Sequence, residues 1–189
     1  MSSRTLFRHT VDLLHAIVDS PQPADKHMEL YFRNHRQLGV RDRGFVAETV
    51  YGCLRRRRFL EYIADAAPAR AEDQVAIYLM LTQGWSARAV EDAGYRAQKP
   101  HTDGKGVRDY AARLHAPGAD LPLGAQTDLP DWLLDRLLAQ YGESETRALA
   151  AALNQPATLD LRVNTLKAER AQVAEKLAQE GFPVQATPY

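Results

Sequence analysis

RDRGFVAETVYGCLRRRRFLEYI, residues 41–63, reads as helix over most of its length. Phe45, Val46, Thr49, Val50, Cys53 and Leu54 recur at the three- and four-residue spacing of one helix face. Asp42 is a good N-cap for this segment. Phe59, Leu60 and Ile63 continue the pattern to Asp65, so the helix either runs through the arginines between them or breaks there. Arg55, Arg56, Arg57 and Arg58 are consecutive. On one helix they would fan through roughly 300°, so most of them must reach solvent.

Outward from this segment the pattern stays helical. Ser3 can cap a helix through Asp19, with Leu6, Phe7, Val11, Leu14 and Val18 on one face. A second helix is predicted from about Asp25 to Gln37, ended by Gly39. Asp73 to Gln83 is apolar almost all round, which suits a central position in a bundle, and Gly84 stops it. Ser86–Asp92 and Val107–His115 read as short helices, and QKPHTDGKG between them as loop. APGADLPLGAQTDLP, 116–130, reads as a linker-like loop. Pro130 opens a helix carrying Trp132, Leu133, Leu134, Leu137, Leu138 and Tyr141. Gly142 ends it, and a last helix runs to Asn154.

The pattern changes after Pro156. Leu159, Leu161 and Val163 alternate with Asp160, Arg162 and Asn164, the period-2 signature of a half-buried strand. Thr165 can cap a following helix with Val173, Ala174 and Leu177 on its apolar side, and Gly181 stops it. Val184 begins a second extended segment. A strand–helix–strand unit of this size cannot bury its own apolar face or close its sheet edges. The expected fold class is therefore mainly all-α, a helical bundle followed by an incomplete α/β segment, and the chain is expected to be the front of a longer protein.

The 189 residues are 45% hydrophobic and 25% charged, as in ordinary globular proteins. No apolar run approaches the ~18 residues of a membrane span. Asp12 interrupts the only stretch where a signal peptide could lie. A lone cysteine permits no internal disulfide and fits a reducing cytoplasm. The zero net charge hides an asymmetry: residues 1–115 carry 18 basic and 14 acidic side chains, and residues 116–189 carry 6 and 10. The basic excess lies between Arg4 and Arg58, which suggests a polyanionic partner for the first domain.

Arg41, Arg43, Arg55, Arg56 and Arg58 are the candidate phosphate contacts, since guanidinium is always charged and donates in pairs. The alternative for the run is a solvated helix end, with Arg57 paired to Glu61. Cys53 lies inside an apolar helix face and reads as an inert buried thiol rather than a nucleophile. The histidines have no metal-ligand spacing; His101 and His115 read as loop and helix-end residues. Gly104–Gly106 lacks the strand–loop–helix setting of a phosphate cradle. Trp132 and Tyr141 read as core or domain-interface aromatics. No catalytic, cofactor-binding or metal-binding residue is assigned.

Two segments carry a resemblance. Asp42, Arg43, Val50, Tyr51, Gly52, Leu54 and Arg55 resemble the signature helix of NusB-like RNA-binding domains. Pro130–Leu133, Tyr141–Gly142, Ala152–Pro156 and Leu161–Lys167 (LRVNTLK) are similar to the domain junction of the Sun (Fmu, RsmB-type) ribosomal RNA cytosine-5 methyltransferases. The resemblance implies a NusB-like domain over 1–140, a linking helix over 141–155 and the start of the methyltransferase region over 156–189. It implies an S-adenosylmethionine-dependent, cytoplasmic parent enzyme. Its partners would be structured ribosomal or transfer RNA and the methyltransferase domain of the same parent chain. The family's cofactor loop and catalytic cysteines have no counterpart in these residues. A non-enzymatic antitermination factor of the NusB type and a protein-docking helical module are the alternatives. The chain alone is expected not to bind S-adenosylmethionine. Isothermal calorimetry should show no binding heat, and a micromolar dissociation constant, roughly −8 kcal/mol, would contradict this reading.

Overall fold

The computed structural model describes residues 1–96, 106–116, 121–155 and 159–187. QKPHTDGKG, including His101, falls almost wholly outside them. Among the described residues the regular structure is helical, and they form two units, Met1–Asn154 and Gln155–Tyr189.

The first unit contains α1 (Ser3–Val18), α2 (Ala24–Asn34), α3 (Val40–Arg55), α4 (Arg57–Ala64), α5 (Ala71–Gln83), α6 (Ala87–Asp92), α7 (Val107–His115), α8 (Leu123–Thr127) and α9 (Asp131–Leu153). α1, α3 and α5 pack against one another in pairs, and α4 and α7 also lie on α5. The sequence expectation for α5 holds: Val75, Ala76, Ile77 and Leu79 are fully buried. Gly84 ends α5 in the left-handed region, with φ 65°, where glycine carries no steric penalty. The expected apolar face of α3 is also present, with Val46, Val50 and Cys53 in the core. Burial pushes the Cys53 thiol up, far from the thiolate a nucleophile needs.

Two local expectations, the cap of α3 and the linker, are corrected, and two others are made definite. Asp42 is not the N-cap of α3; Gly39 holds that place, and Asp42, one turn in, accepts the Gly39 amide at 3.3 Å. The helix carrying the arginines does break, at Arg56, where φ −102° and ψ 20° end α3 and begin α4. The stretch read as a linker contains α8, capped by Pro122 and backed by Thr127 Oγ1 donating to the Leu123 carbonyl. Gly142, at φ 75° and ψ 174°, interrupts the helix as expected, and the two helical stretches on either side of this kink together make up α9. The kink has a packing consequence. Leu134 and Ala150 share a small second core with Leu129, Leu123, Leu133, Leu137 and Leu138. On a straight helix these two residues would stand about 24 Å apart.

The second unit contains α10 (Arg170–Gln179). Glu169, not Thr165, is its N-cap. Gly181, at φ 88°, ends it as expected, and the Phe182 amide donates back to the Leu177 carbonyl at 2.8 Å. The two segments expected as strands, 159–163 and 184–187, are not paired into a sheet, and a strand exists only through ladder bonds to a partner. Val173, Ala174 and Leu177 are half-buried, and no residue of α10 is fully buried.

Gly52 explains how α3 and α5 approach so closely. A Cβ placed there would overlap the Tyr78 ring. G52A should therefore destabilise the fold by about 1–3 kcal/mol through overpacking, read as a lower urea midpoint at unchanged slope.

Candidate nucleic-acid interface

The five candidate arginines do not form one patch. Arg41 and Arg43 sit in the first turn of α3 and Arg55 in its last turn. The rise of the helix separates Arg41 from Arg55 by about 21 Å. Arg41 is exposed and has no acidic partner among the described residues. Arg43 donates from Nε to the Leu38 carbonyl at 2.9 Å and lies over the Phe32 ring at 5.9 Å. A positive charge at a helix N-terminus opposes the helix dipole, so Arg41 is not placed there to stabilise α3. Arg55, half-buried, has the favourable end of the dipole. Arg41, Glu48 and Arg55 recur every seven residues, and with Gly44 and Tyr51 they line one outward stripe of α3.

The other members of the run face a different neighbour. Arg57 pairs with Glu61 at 2.9 Å, as the sequence suggested. Arg56 Nε lies 3.1 Å from Asp128 Oδ2, and its guanidinium covers the Phe59 ring at 4.9 Å. Neither of those two polar atoms has a hydrogen-bonding partner, so their attraction is ionic. Arg58 donates from Nη1 to the Leu129 carbonyl and from Nη2 to Asp131 Oδ1 at 2.7 Å. A Cβ at Gly124 would stand 2.5 Å from Arg58 Nη2, so glycine there lets the guanidinium lie flat on α8.

Asp128 is the residue that sequence reasoning missed. Its side chain is 2% exposed, and its Oδ1 accepts the Phe59 amide at 2.9 Å, at the third residue of α4. A carboxylate 69 residues downstream thus caps a helix whose own N-cap, Arg56, has no side-chain acceptor. Its φ of 57° is a faint sequence signal, since Asp tolerates that region better than most residues. Nothing local to Asp128 points to its partner.

A cleft of about 410 Å³ beside α4 and α8 is lined by Arg58, Glu61, Tyr62, Asp65, Pro122 and Ala125. Among the described residues no group of three His, Cys, Asp or Glu side chains could hold a metal, and no helix is long and apolar enough to cross a membrane. Trp132 and Tyr141, expected in a core or interface, are 63% and 50% exposed. The Arg136 guanidinium lies 5.8 Å from the Trp132 ring centre. His115 is exposed at the end of α7, as expected.

With this geometry in view, the relationships of the chain fall into place at two levels. Residues 129–189 match a family described as methyltransferase RsmF/B-like, ferredoxin-like domain. Over 173 residues the chain is 29% identical to the probable ribosomal RNA small subunit methyltransferase B of Synechocystis sp., covering 75% of this chain and 37% of that protein. It is 26% identical over 171 residues to the protein of the same description in Bacillus subtilis, covering 79% and 38%. The chain thus spans well under half the length of the curated relatives it matches. No solved structure matches it. The similarity read from LRVNTLK and the motifs before it, to the N-terminal region of RsmB-type methyltransferases, is borne out.

The cap makes a pH prediction. Burial raises the Asp128 carboxyl above its ordinary 3.8, against the opposing pull of the Phe59 amide and Arg56. A carboxyl raised on folding holds its proton more tightly in the folded state. Its contribution to stability is therefore fully present below 3.8 and is lost as pH rises through the folded value. The stability of the wild type relative to D128N should fall as pH rises above 3.8, measured by urea unfolding. D128A, which leaves the Phe59 amide without its acceptor, should cost about 1–3 kcal/mol at low pH, with the cost shrinking as the carboxyl ionises.

Proposed function

We propose that this chain is the RNA-binding N-terminal part of an S-adenosylmethionine-dependent RNA (cytosine-5) methyltransferase that acts on ribosomal or transfer RNA in the cytoplasm. Similarity over three quarters of the chain to two proteins described as probable ribosomal RNA methyltransferases carries the reading. In it, residues 1–140 are a NusB-like domain, 141–155 a linking helix and 156–189 the start of the methyltransferase region. The segments at 159–163 and 184–187 gain strand partners from the methyltransferase domain of the parent, which is also where S-adenosylmethionine and the nucleophile reside. The role of this part is to hold structured RNA by its phosphates while the other domain extrudes and modifies the base.

The outward stripe of α3 supports the phosphate contacts. Arg41 and Arg55 have no carboxylate partner among the described residues, and Arg43 is bonded only to a backbone carbonyl and an aromatic face. Their charge is available to a polyanion without first breaking an ion pair. Tyr51, 40% exposed, stands one turn before Arg55 on the same stripe and offers a ring face there.

The test is the salt dependence of binding to a hairpin transcript of small-subunit ribosomal RNA. R41A and R55A should each reduce the slope of log affinity against log salt by about 0.7–0.9. R41A should leave stability within about 1 kcal/mol, because an exposed, unpaired charge contributes little to the fold. An unchanged slope in the folded double variant would falsify the RNA-facing stripe.

A further inference from the structure

We propose that Arg56 and Arg58 act as the joint that fixes the course of α9 on the helical bundle, rather than as phosphate contacts. The inference goes beyond the RNA reading and does not depend on it.

The geometry is specific to a joint. Arg58 grips both the carbonyl of Leu129 and the carboxylate of Asp131, on either side of Pro130. These are the residues from which α9 starts and at which the match to the ferredoxin-like family begins. Arg56 meets the buried carboxylate of Asp128, and that carboxylate also holds the Phe59 amide. The four contacts tie the first turn of α4 to the three residues 128, 129 and 131. Gly124 provides the clearance that the Arg58 guanidinium needs. At the far end of α9, Asn154 Nδ2 donates to the Thr127 carbonyl at 2.9 Å, which returns the kinked helix to the same junction. A planar fork suits this role: two donors of one guanidinium meet two acceptors whose spacing the proline-containing turn holds fixed. An arginine offered to RNA would be left free, as Arg41 is.

Hydrogen–deuterium exchange on the chain tests this without RNA. R58A should raise exchange of amides in 123–134 about tenfold, the scale of a lost charge-assisted hydrogen bond, while amides in α1 and α5 keep their protection. R58K keeps the charge but not the fork and should fail to restore protection. G124A removes no charge at all. It should displace the Arg58 guanidinium, raise exchange in 123–134 in the same way, and leave the salt slope of RNA binding unchanged. R41A should show the converse, an altered slope with unaltered exchange. Should R58A not fold, G124A and R58K decide the matter. The proposal is overturned if exchange at 123–134 stays at the wild-type rate in G124A and R58K. It is equally overturned if exchange rises alike in α1 and α5, since Arg58 would then support the whole fold and not the joint. Loss of RNA affinity in R41A is read independently, so a failure of the RNA reading leaves this result standing.

Discussion

The contact between Asp128 and the first turn of α4 is the constraint on which the second half of the bundle depends. Breaking the helix at Arg56 creates a new N-terminus inside the protein, with backbone amides that no preceding carbonyl can accept. Arg56 occupies the N-cap and has only donors to offer. An acceptor must therefore come from elsewhere, and Asp128 supplies it from across the chain at 2.9 Å. Placing Asp128 there draws α8 onto α4 and starts α9 beside it. The small core of Leu129, Leu134 and Ala150 assembles at the same junction. One carboxylate therefore couples a local break in α3–α4 to the packing of some thirty residues that follow it.

Charge in the arginine-rich region divides by what each guanidinium touches. Arg56 faces a carboxylate that is 2% exposed, and removal of one partner from such a site leaves an uncompensated buried charge. Arg57 and Glu61 form an ordinary i,i+4 pair, worth a few tenths of a kcal/mol. Arg41 is exposed and has no ion pair among the described residues, so its charge contributes little to the fold. Sequence composition counts these side chains as equal positive charges. The structure gives them unequal availability, and availability is what decides whether a phosphate can recruit them. The stripe of α3 is consequently the stronger candidate surface, although the denser run of arginine lies beyond its end.

What the sequence made legible was local. The apolar spacing of α1, α3 and α5, the glycine stops at Gly84 and Gly181, the inert Cys53 and the Arg57–Glu61 pair each depend on residues within a turn or two. The features that escaped depend on distant partners. α8 is five residues long, too short for periodicity to register, and its helical form rests on contacts with α4 and α9. Asp128 lies in the stretch read as a linker, and nothing within a turn of it shows its role, which is defined by Phe59. The alternation at 159–163 is a true pattern of side chains, but pairing converts such a pattern into a strand, and no ladder partner stands beside it among the described residues. For the candidate site, the residue types were legible and their grouping was not. The break at Arg56 redirects half of the run toward α8 and α9, and that break is fixed by an acceptor 69 residues away.

The motif that first suggested the relationship is itself split by the same logic. Val50 is fully buried, and Gly52 is glycine because the Tyr78 ring crosses α3 at that point. These two residues record how α3 packs on α5. Tyr51 is 40% exposed and stands on the outward stripe of α3. A resemblance carried by Val50 and Gly52 therefore speaks first to the helical packing. It speaks to RNA only through the outward residues interleaved with them. Any helix that used this V-Y-G spacing to approach a neighbouring aromatic ring would repeat the buried half. The outward half, Tyr51 with the half-buried Arg55 one turn on, is not fixed by the contact with the Tyr78 ring, and so it is the part of the motif that bears on function.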